Sequence, residues 1–513
     1  MKKICIALVL LLTLCLATGC LRAFAETEST GGETDIQFTD GGITASASDG
    51  LKIDGTGLTI TGAGTYVLSG SCADGSVKVK KGVTGVRLVL SGLSLTSQST
   101  APIVCGKGTE VVIEAATGTE NTLADAESNA DETNNTDAEN AVVKCKDGSQ
   151  VVLCGAGTLN IQANAKNGLK SGASTEEDGE ASLTIRDLTL RIDAPVNDAV
   201  NAAASLNVES GRLTLSAGDD ALHCDYALNI GADGTQGPEV TITACNEGLE
   251  GAEVNVRSGS VSILSSDDCI NAANAELSGY DFALNISGGT IVACTSGGDG
   301  FDSNGDLTIS GGSVTVWSAS AADNQPLDAD GTVTISGGTV LAAGGSSGMG
   351  MRLQATQPCV LFGGSGVSGM PGQFTRGGFS GSQGALLTEG SAFTLTAGSA
   401  VLCAADAKYN ASFLLFSCAE LSDSEECVLS SGESQTTGTV QTGDVSTGMG
   451  GMGGRGFPGG QRPGGERSDG QRPDNAPSSG FNGQMPGNPP QRGAGEDEDT
   501  SANQDVQKST ERT

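Results

Sequence analysis

The sequence predicts an all-β fold, a single-stranded parallel β-helix followed by a disordered C-terminal tail. Three observations point there: a strand-turn-strand unit that recurs every 22 to 30 residues, a second short motif recurring between those units, and a chain with 78 Gly but only 3% aromatic residues. Gly is costly inside helices, and Thr, Val, Ile and Ser dominate the apolar-patterned stretches, so helical folds are disfavoured. A hydrophobic fraction of 37% is too high for a wholly disordered chain and too low for a multi-spanning membrane protein.

The unit reads Leu206-Asn-Val208-Glu-Ser-Gly-Arg-Leu-Thr-Leu215, then Val254-Asn-Val256-Arg-Ser-Gly-Ser-Val-Ser-Ile263 and Leu284-Asn-Ile286-Ser-Gly-Gly-Thr-Ile-Val292. It continues as Leu307-Thr-Ile309-Ser-Gly-Gly-Ser-Val-Thr-Val316 and Val333-Thr-Ile335-Ser-Gly-Gly-Thr-Val340. A floor near 22 residues indicates one coil per repeat, the longer copies carrying loop insertions. Each half alternates apolar and polar residues, so each strand is half-buried. The second motif runs polar, small, apolar, polar, small, as in Asp220-Ala-Leu-His-Cys224, Glu247-Gly-Leu-Glu-Gly251 and Asp299-Gly-Phe-Asp-Ser303. Its apolar members Val200, Leu222, Leu249, Ile270, Phe301 and Leu327 form an inward stack. Three short strands per coil, stacked along one axis, pair each backbone with the coils above and below and leave a narrow core that needs few rings. A β-propeller would need about 40 residues per blade and bulkier motifs.

In chain order, residues 1–25 read as a signal peptide, with Lys2 and Lys3 ahead of an apolar run from Ile4 to Ala17. Two processing readings stand side by side. Ala23-Phe24-Ala25 is a small-x-small cleavage site, and Ala17-Thr18-Gly19-Cys20 resembles a lipobox that would leave Cys20 as a diacylglyceryl anchor. Either places the protein outside the cytoplasmic membrane, secreted or as a cell-surface lipoprotein, with membrane contact only through that anchor. Residues 26–50 read as a linker and 51–440 as the β-helix, taken to be monomeric. Surface loops are expected at about 124–139, which is acidic and polar, and at about 344–384, which is rich in Gly, Ser and Met. Strand-like alternation from Ala392 to Leu429 would close the solenoid. Residues 441–513 are rich in Gly, Pro, Gln and Arg and cannot bury a core.

The formal net charge of −34 argues against nucleic acid or an anionic membrane as a partner. Twelve of the 15 Cys lie beyond the leader and its lipobox, without a C-x-x-C pair, and His223 is the only His in the chain. That excludes an ordinary structural zinc site and leaves the thiols as small apolar filler.

Several ordered motifs between Leu51 and Leu429 resemble the bacterial carbohydrate-binding-domain family of secreted β-helix proteins. They are Gly64-Thr-Tyr66-Val-Leu-Ser-Gly70, Val86-Arg-Leu-Val-Leu-Ser-Gly92, Ala101-Pro-Ile103, Thr119-Glu-Asn-Thr-Leu-Ala-Asp125 and the acidic coils from Gly218 to Gly331. The resemblance implies a right-handed, pectate-lyase-like parallel β-helix, an association with calcium, and binding of plant cell-wall polysaccharides such as polygalacturonate or cellulose. His223 and Asn271 depart from the carboxylates that Glu250, Asp302 and Asp328 supply at the same motif position.

Stacked coils set equivalent residues about 4.8 Å apart. Asp219, Asp220, Glu247, Glu250, Asp267, Asp268, Asp299, Asp302, Asp328 and Asp330 therefore gather along one edge. Carboxylates that close repel one another by roughly 1 kcal/mol in water and more beside protein. Either they splay into solvent as a solubilising face, or cations sit between them. Ca²⁺ suits such a set, because it accepts six to eight oxygens in loose geometry. The expected function is non-catalytic, Ca²⁺-dependent binding of an acidic or cellulosic cell-wall glycan. Trp317 and Tyr280 stand out as ring donors in a chain with few others. Two alternatives remain: a Ca²⁺-dependent polysaccharide lyase with Lys170 as its base, and a cell-surface adhesion or spacer protein.

Overall fold

The computed structural model describes residues 32–319, 324–345, 351–363 and 385–445; the leader, the lipobox and the chain beyond Val445 lie outside them. Three strands per coil stack into three parallel columns, which is the predicted β-helix. The first column runs from Ser76–Val79 through Ile103–Cys105, Ala141–Cys145, Asn167–Ser171 and Val200–Ala202, then through the starts of Leu222–Ile230 and Leu249–Val256 to Ile270–Ala272 and Phe301–Ser303. The second and third columns are built from the two halves of the recurring unit, so that Asn207 pairs with Asn229, and Leu213 with Val240, on successive coils. Inward side chains from all three columns merge into one core that runs through the coils, with Leu222, Leu249, Ile270 and Phe301 each 0% exposed. The inward stack drawn from the second motif is therefore present.

The Ser-Gly-Gly turns have a packing reason. The first Gly of each pair lies under the preceding coil: a Cβ on Gly311 would stand 2.2 Å from Ser287 O, and one on Gly337 2.3 Å from Ser310 O. The second Gly takes a left-handed backbone, with φ of 84° at both Gly312 and Gly338. Any side chain at either place would push two coils apart.

The boundaries differ from the expected ones at both ends. Residues 26–50 contain the strand Thr34–Thr39, whose Ile36 and Phe38 are buried and which pairs in parallel with Gly64–Cys72. It caps the first coil, a role invisible in a six-residue stretch lacking the repeat motif. Within 344–384, Leu353–Gly363 is a strand rather than a loop, while 346–350 and 364–384 lie outside the described residues. The segment 126–140 is a loop with one 3-10 turn, Glu127–Ala130, while Ala124 and Asp125 of the expected 124–139 loop belong to the strand Glu120–Asp125. The closing strands do not add a coil. Phe413–Ser417 inserts antiparallel between Val333–Gly344 and Leu353–Gly363, and Ala392–Ala397, Ala400–Asp406, Glu426–Ser431 and Ser434–Thr439 form a separate four-stranded antiparallel sheet. Strand Gln441–Asp444 pairs with Leu353–Gly363, so the fold runs past the boundary drawn at 440. Antiparallel pairing consumes the open edge that a parallel coil would leave exposed. All twelve cysteines from Cys72 to Cys427 are free thiols, eleven of them buried.

Candidate functional site

The first column carries two polar ladders, the first largely buried at the strand entry and the second outward. One is the polar residue that opens each copy of the second motif, at the turn entering the strand: Asn167, Asp198, Asp220, Glu247, Asp268, Asp299 and Gln325. The other is the polar residue after the inward apolar one, where Lys170, Asn201, His223, Glu250, Asn271 and Asp302 stand in strand register and Asp328 follows the Phe301–Leu327 bridge. The entry ladder is tied to the backbone one coil on: Asp198 Oδ1 accepts from Asp220 N at 3.2 Å, and Asp268 Oδ1 from Asp299 N at 2.6 Å. Gly298 leaves room for this arrangement, since a Cβ there would stand 2.3 Å from the Oδ1 atoms of both Asp267 and Asp268.

Rungs of the two ladders meet, and the seven members predicted from the sequence that do so are Asp220, Glu247, Glu250, Asp268, Asp299, Asp302 and Asp328. In the lower group, Asp220, His223 and Glu250 bring ligand atoms within 4.8 Å of one another. His223 Nδ1 lies 3.2 Å from Asp220 Oδ2 and also bonds Glu250, while Nε2 lies 3.0 Å from Asp225 Oδ1. Burial alone would lower the His223 pKa, but hydrogen bonds to Asp220, Asp225 and Glu250 outweigh it and hold the ring as imidazolium. Burial and the neighbouring Glu250 push Asp220 up to about 7. Burial opposes ionisation of Glu250 too, yet the bond to His223 wins and its pKa falls. This group thus supplies its own cation.

Among the described residues the upper group has no such cation. Asp299, Asp302 and Asp328 come within 4.8 Å of one another, with Asp268 bound to the Asp299 backbone beside them. Burial and the other carboxylates raise Asp299 and Asp302 to about 7 and, although the Asp299 backbone bond opposes it, Asp268 to about 6. Burial, then Glu250, lifts Glu247 to about 8. Asn271, 9% exposed, sits in register between Glu250 and Asp302; its Nδ2 donates to Glu247 Oε2 at 3.0 Å, and its Oδ1 is buried without a donor. Asp219, Asp267 and Asp330, also predicted as ladder members, face solvent. They are the neighbours of inward-turned residues and alternate outward.

The aromatic expectations divide. Trp317 is 1% exposed and packs edge-on against Phe393 at 6.0 Å, so it is core and offers no face to a ligand. Its strand position was outward on the third column, but the antiparallel cap covers that face. Tyr280 is 36% exposed and lies edge-on to Tyr226, 44% exposed, at 6.3 Å, with Phe282 behind it at 5.5 Å. Tyr226 follows Asp225, the partner of His223, at the corner of the first column. Sequence reasoning missed Tyr226 because it lies between two repeat motifs; its place directly after the His223 motif was the available signal.

A family model described as "Carbohydrate-binding domain-containing protein" matches residues 54–348, more than half of the chain. A protein of Acetivibrio thermocellus with the same description is 33% identical over 173 residues, which are 33% of this chain and 59% of that protein. A solved structure titled as the polysaccharide lyase-like protein from C. thermocellum, a gadolinium derivative, is 24% identical with a TM-score of 0.32, covering 60% of this chain and 94% of its own.

Proposed function

The chain belongs to the family of carbohydrate-binding domain-containing proteins, and on that premise we propose that the first column is its polysaccharide-binding face and works with bound Ca²⁺ outside the cytoplasmic membrane. The observation that supports this most is a crowded oxygen cluster, Asp268, Asn271, Asp299, Asp302 and Asp328, uncompensated among the described residues, on the column whose corner three coils away carries the exposed Tyr226–Tyr280 pair. The residues fit Ca²⁺. All the donors are oxygens, four are carboxylates, and the buried Asn271 Oδ1 has no hydrogen to accept. The His223 group fits less well, because its imidazolium would repel a second cation. When bound, the ion supplies positive charge to which a sugar carboxylate or hydroxyl can coordinate. The protein's own residues hold that charge on the outer surface, and the tyrosines offer ring faces for sugar C–H groups. Their rings are inclined by 65°, an arrangement that grips a single chain rather than a flat crystalline surface.

A lyase is disfavoured by distance. Lys170, the predicted base, is five rungs from Asp302, about 24 Å at the coil spacing, whereas a base must reach the proton it removes. Titrating chelated protein with Ca²⁺ by calorimetry, and then with glycan in the presence or absence of the ion, tests the proposal. Glycan binding that is unchanged by chelation would remove the ion from it, and no binding to any polysaccharide would remove the whole.

A further inference from the structure

The outward ladder that ends in carboxylates begins with lysines. Lys144 and Lys170 are Cα partners on successive coils, Asn201 follows, and His223 and Glu250 come next. One face therefore changes sign along its length within a few rungs. We propose that Lys144 and Lys170 form an anion subsite that takes a carboxylate of an acidic glycan, so that a uronate-bearing chain lies along the first column from this pair toward the oxygen cluster.

Both lysines are half-buried, their Cα atoms are partners about one coil spacing apart, and among the described residues neither has an ion pair or a hydrogen bond. Three other lysines around these coils are neutralised: Lys81 by Asp178 at 2.8 Å, Lys107 by Asp147 at 2.7 Å, and Lys146 by Glu139 at 2.7 Å. Glu139 is the carboxylate that acts on Lys144, and it is already bound to Lys146. Burial, and next the charge of Lys170, press the Lys144 ammonium toward its neutral form. An anion bridging the pair would relieve both effects, because it replaces lost hydration with charge-assisted hydrogen bonds.

A polymer favours this pair over a free anion because the pair is not isolated. The Tyr226–Tyr280 rings lie at the corner of the same column and the cation-binding cluster follows on it, so one extended ligand would meet all three. A neutral glycan offers the lysines hydroxyl acceptors but no counter-charge. A glycan charged on successive sugars would meet ammonium groups directly at one end and a bound cation at the other. This deepens the carbohydrate-binding reading and rests on it.

The test uses the full chain with saturating Ca²⁺ and four probes: an oligogalacturonide, its methyl ester, a cello-oligosaccharide and inorganic phosphate. Native protein should prefer the oligogalacturonide to its ester. The double variant Lys144→Gln/Lys170→Gln should lose about tenfold or more in affinity for the oligogalacturonide, the equivalent of one charge-assisted hydrogen bond. Its Ca²⁺ affinity and its cello-oligosaccharide affinity should not change, and Lys144→Arg/Lys170→Arg should keep the preference. Lys170→Gln alone serves if the double variant melts early. Equal oligogalacturonide binding by native and Gln proteins would overturn the proposal, as would phosphate competing as well as the oligogalacturonide. Native protein that binds the cello-oligosaccharide but not the oligogalacturonide would overturn it while sparing the carbohydrate-binding reading. Binding of neither glycan would end both.

Discussion

Asn271 and Asp302 are successive rungs of one outward ladder, and the buried carboxamide oxygen of the first has no donor while the carboxyl of the second is pushed up to about 7. Burial and like charges produce the second effect, and the absence of a proton donor produces the first. A single cation would answer both. Asp302→Ala removes a central carboxylate and should weaken Ca²⁺ binding about tenfold or more, read by calorimetry. Asp330→Ala, which removes an exposed carboxylate two residues beyond Asp328, should leave it within about twofold, in keeping with a screened surface charge.

Stability of the chelated protein should fall as pH rises. Asp268, Asp299, Asp302 and Glu247 have folded pKa values raised to between about 6 and about 8, above the ordinary carboxylate range of an unfolded chain. The folded state thus binds more protons than the unfolded one, and the contribution present below pH 4 is lost as pH climbs through the folded values. Thermal unfolding in chelator should show a lower Tm at pH 8 than at pH 5, and millimolar Ca²⁺ should abolish that fall. A chelated protein equally stable at both values would mean that the carboxylates do not crowd one another.

The two ring sites should separate cleanly. Tyr226→Ala and Tyr280→Ala alter exposed side chains and should change stability by no more than about 0.5 kcal/mol while weakening glycan binding. Trp317→Ala empties a buried site against Phe393 and should cost about 3–5 kcal/mol without a specific effect on the glycan. Urea unfolding and affinity electrophoresis on glycan gels measure the two quantities separately.

The β-helix was legible because the coil repeat is written twice, in the Ser-Gly-Gly units and in the polar-small-apolar motif, and both encode stacking. The ladder was legible for the same reason: equal motif positions become neighbouring rungs. What the repeat could not convey is what covers it. Trp317 is outward in its strand and buried only because the antiparallel cap, made of non-repeating sequence, lies over it. Ile36 and Phe38 likewise close the other end from a segment without the motif. His223 read as a departure from a carboxylate pattern, yet its bonds to Asp220, Glu250 and Asp225 make it the counter-ion of that pattern.

The recurring Leu-Asn-Val unit hides one more determinant. Its Asn, legible from alternation only as a polar outward residue, stacks on the second column: Asn229 Nδ2 donates to Asn207 Oδ1 at 3.1 Å, Asn255 to Asn229 at 3.2 Å, and Asn285 to Asn255 at 3.1 Å. Asn255 is 6% exposed and both gives and receives, so Asn255→Ala would leave Asn285 Nδ2 without its acceptor. An orphaned group of this kind costs about 1–3 kcal/mol. The ladder passes to Thr308 and Thr334 on later coils, which shows that a β-branched hydroxyl fits the same register. Asn255→Thr should therefore recover part of the loss, while Asn255→Leu, apolar at an amide-lined rung, should not. Chemical unfolding of the three variants in Ca²⁺ checks the order. If all three match the native protein, the amide stack contributes no net stability and the Gly turns alone hold the coil spacing.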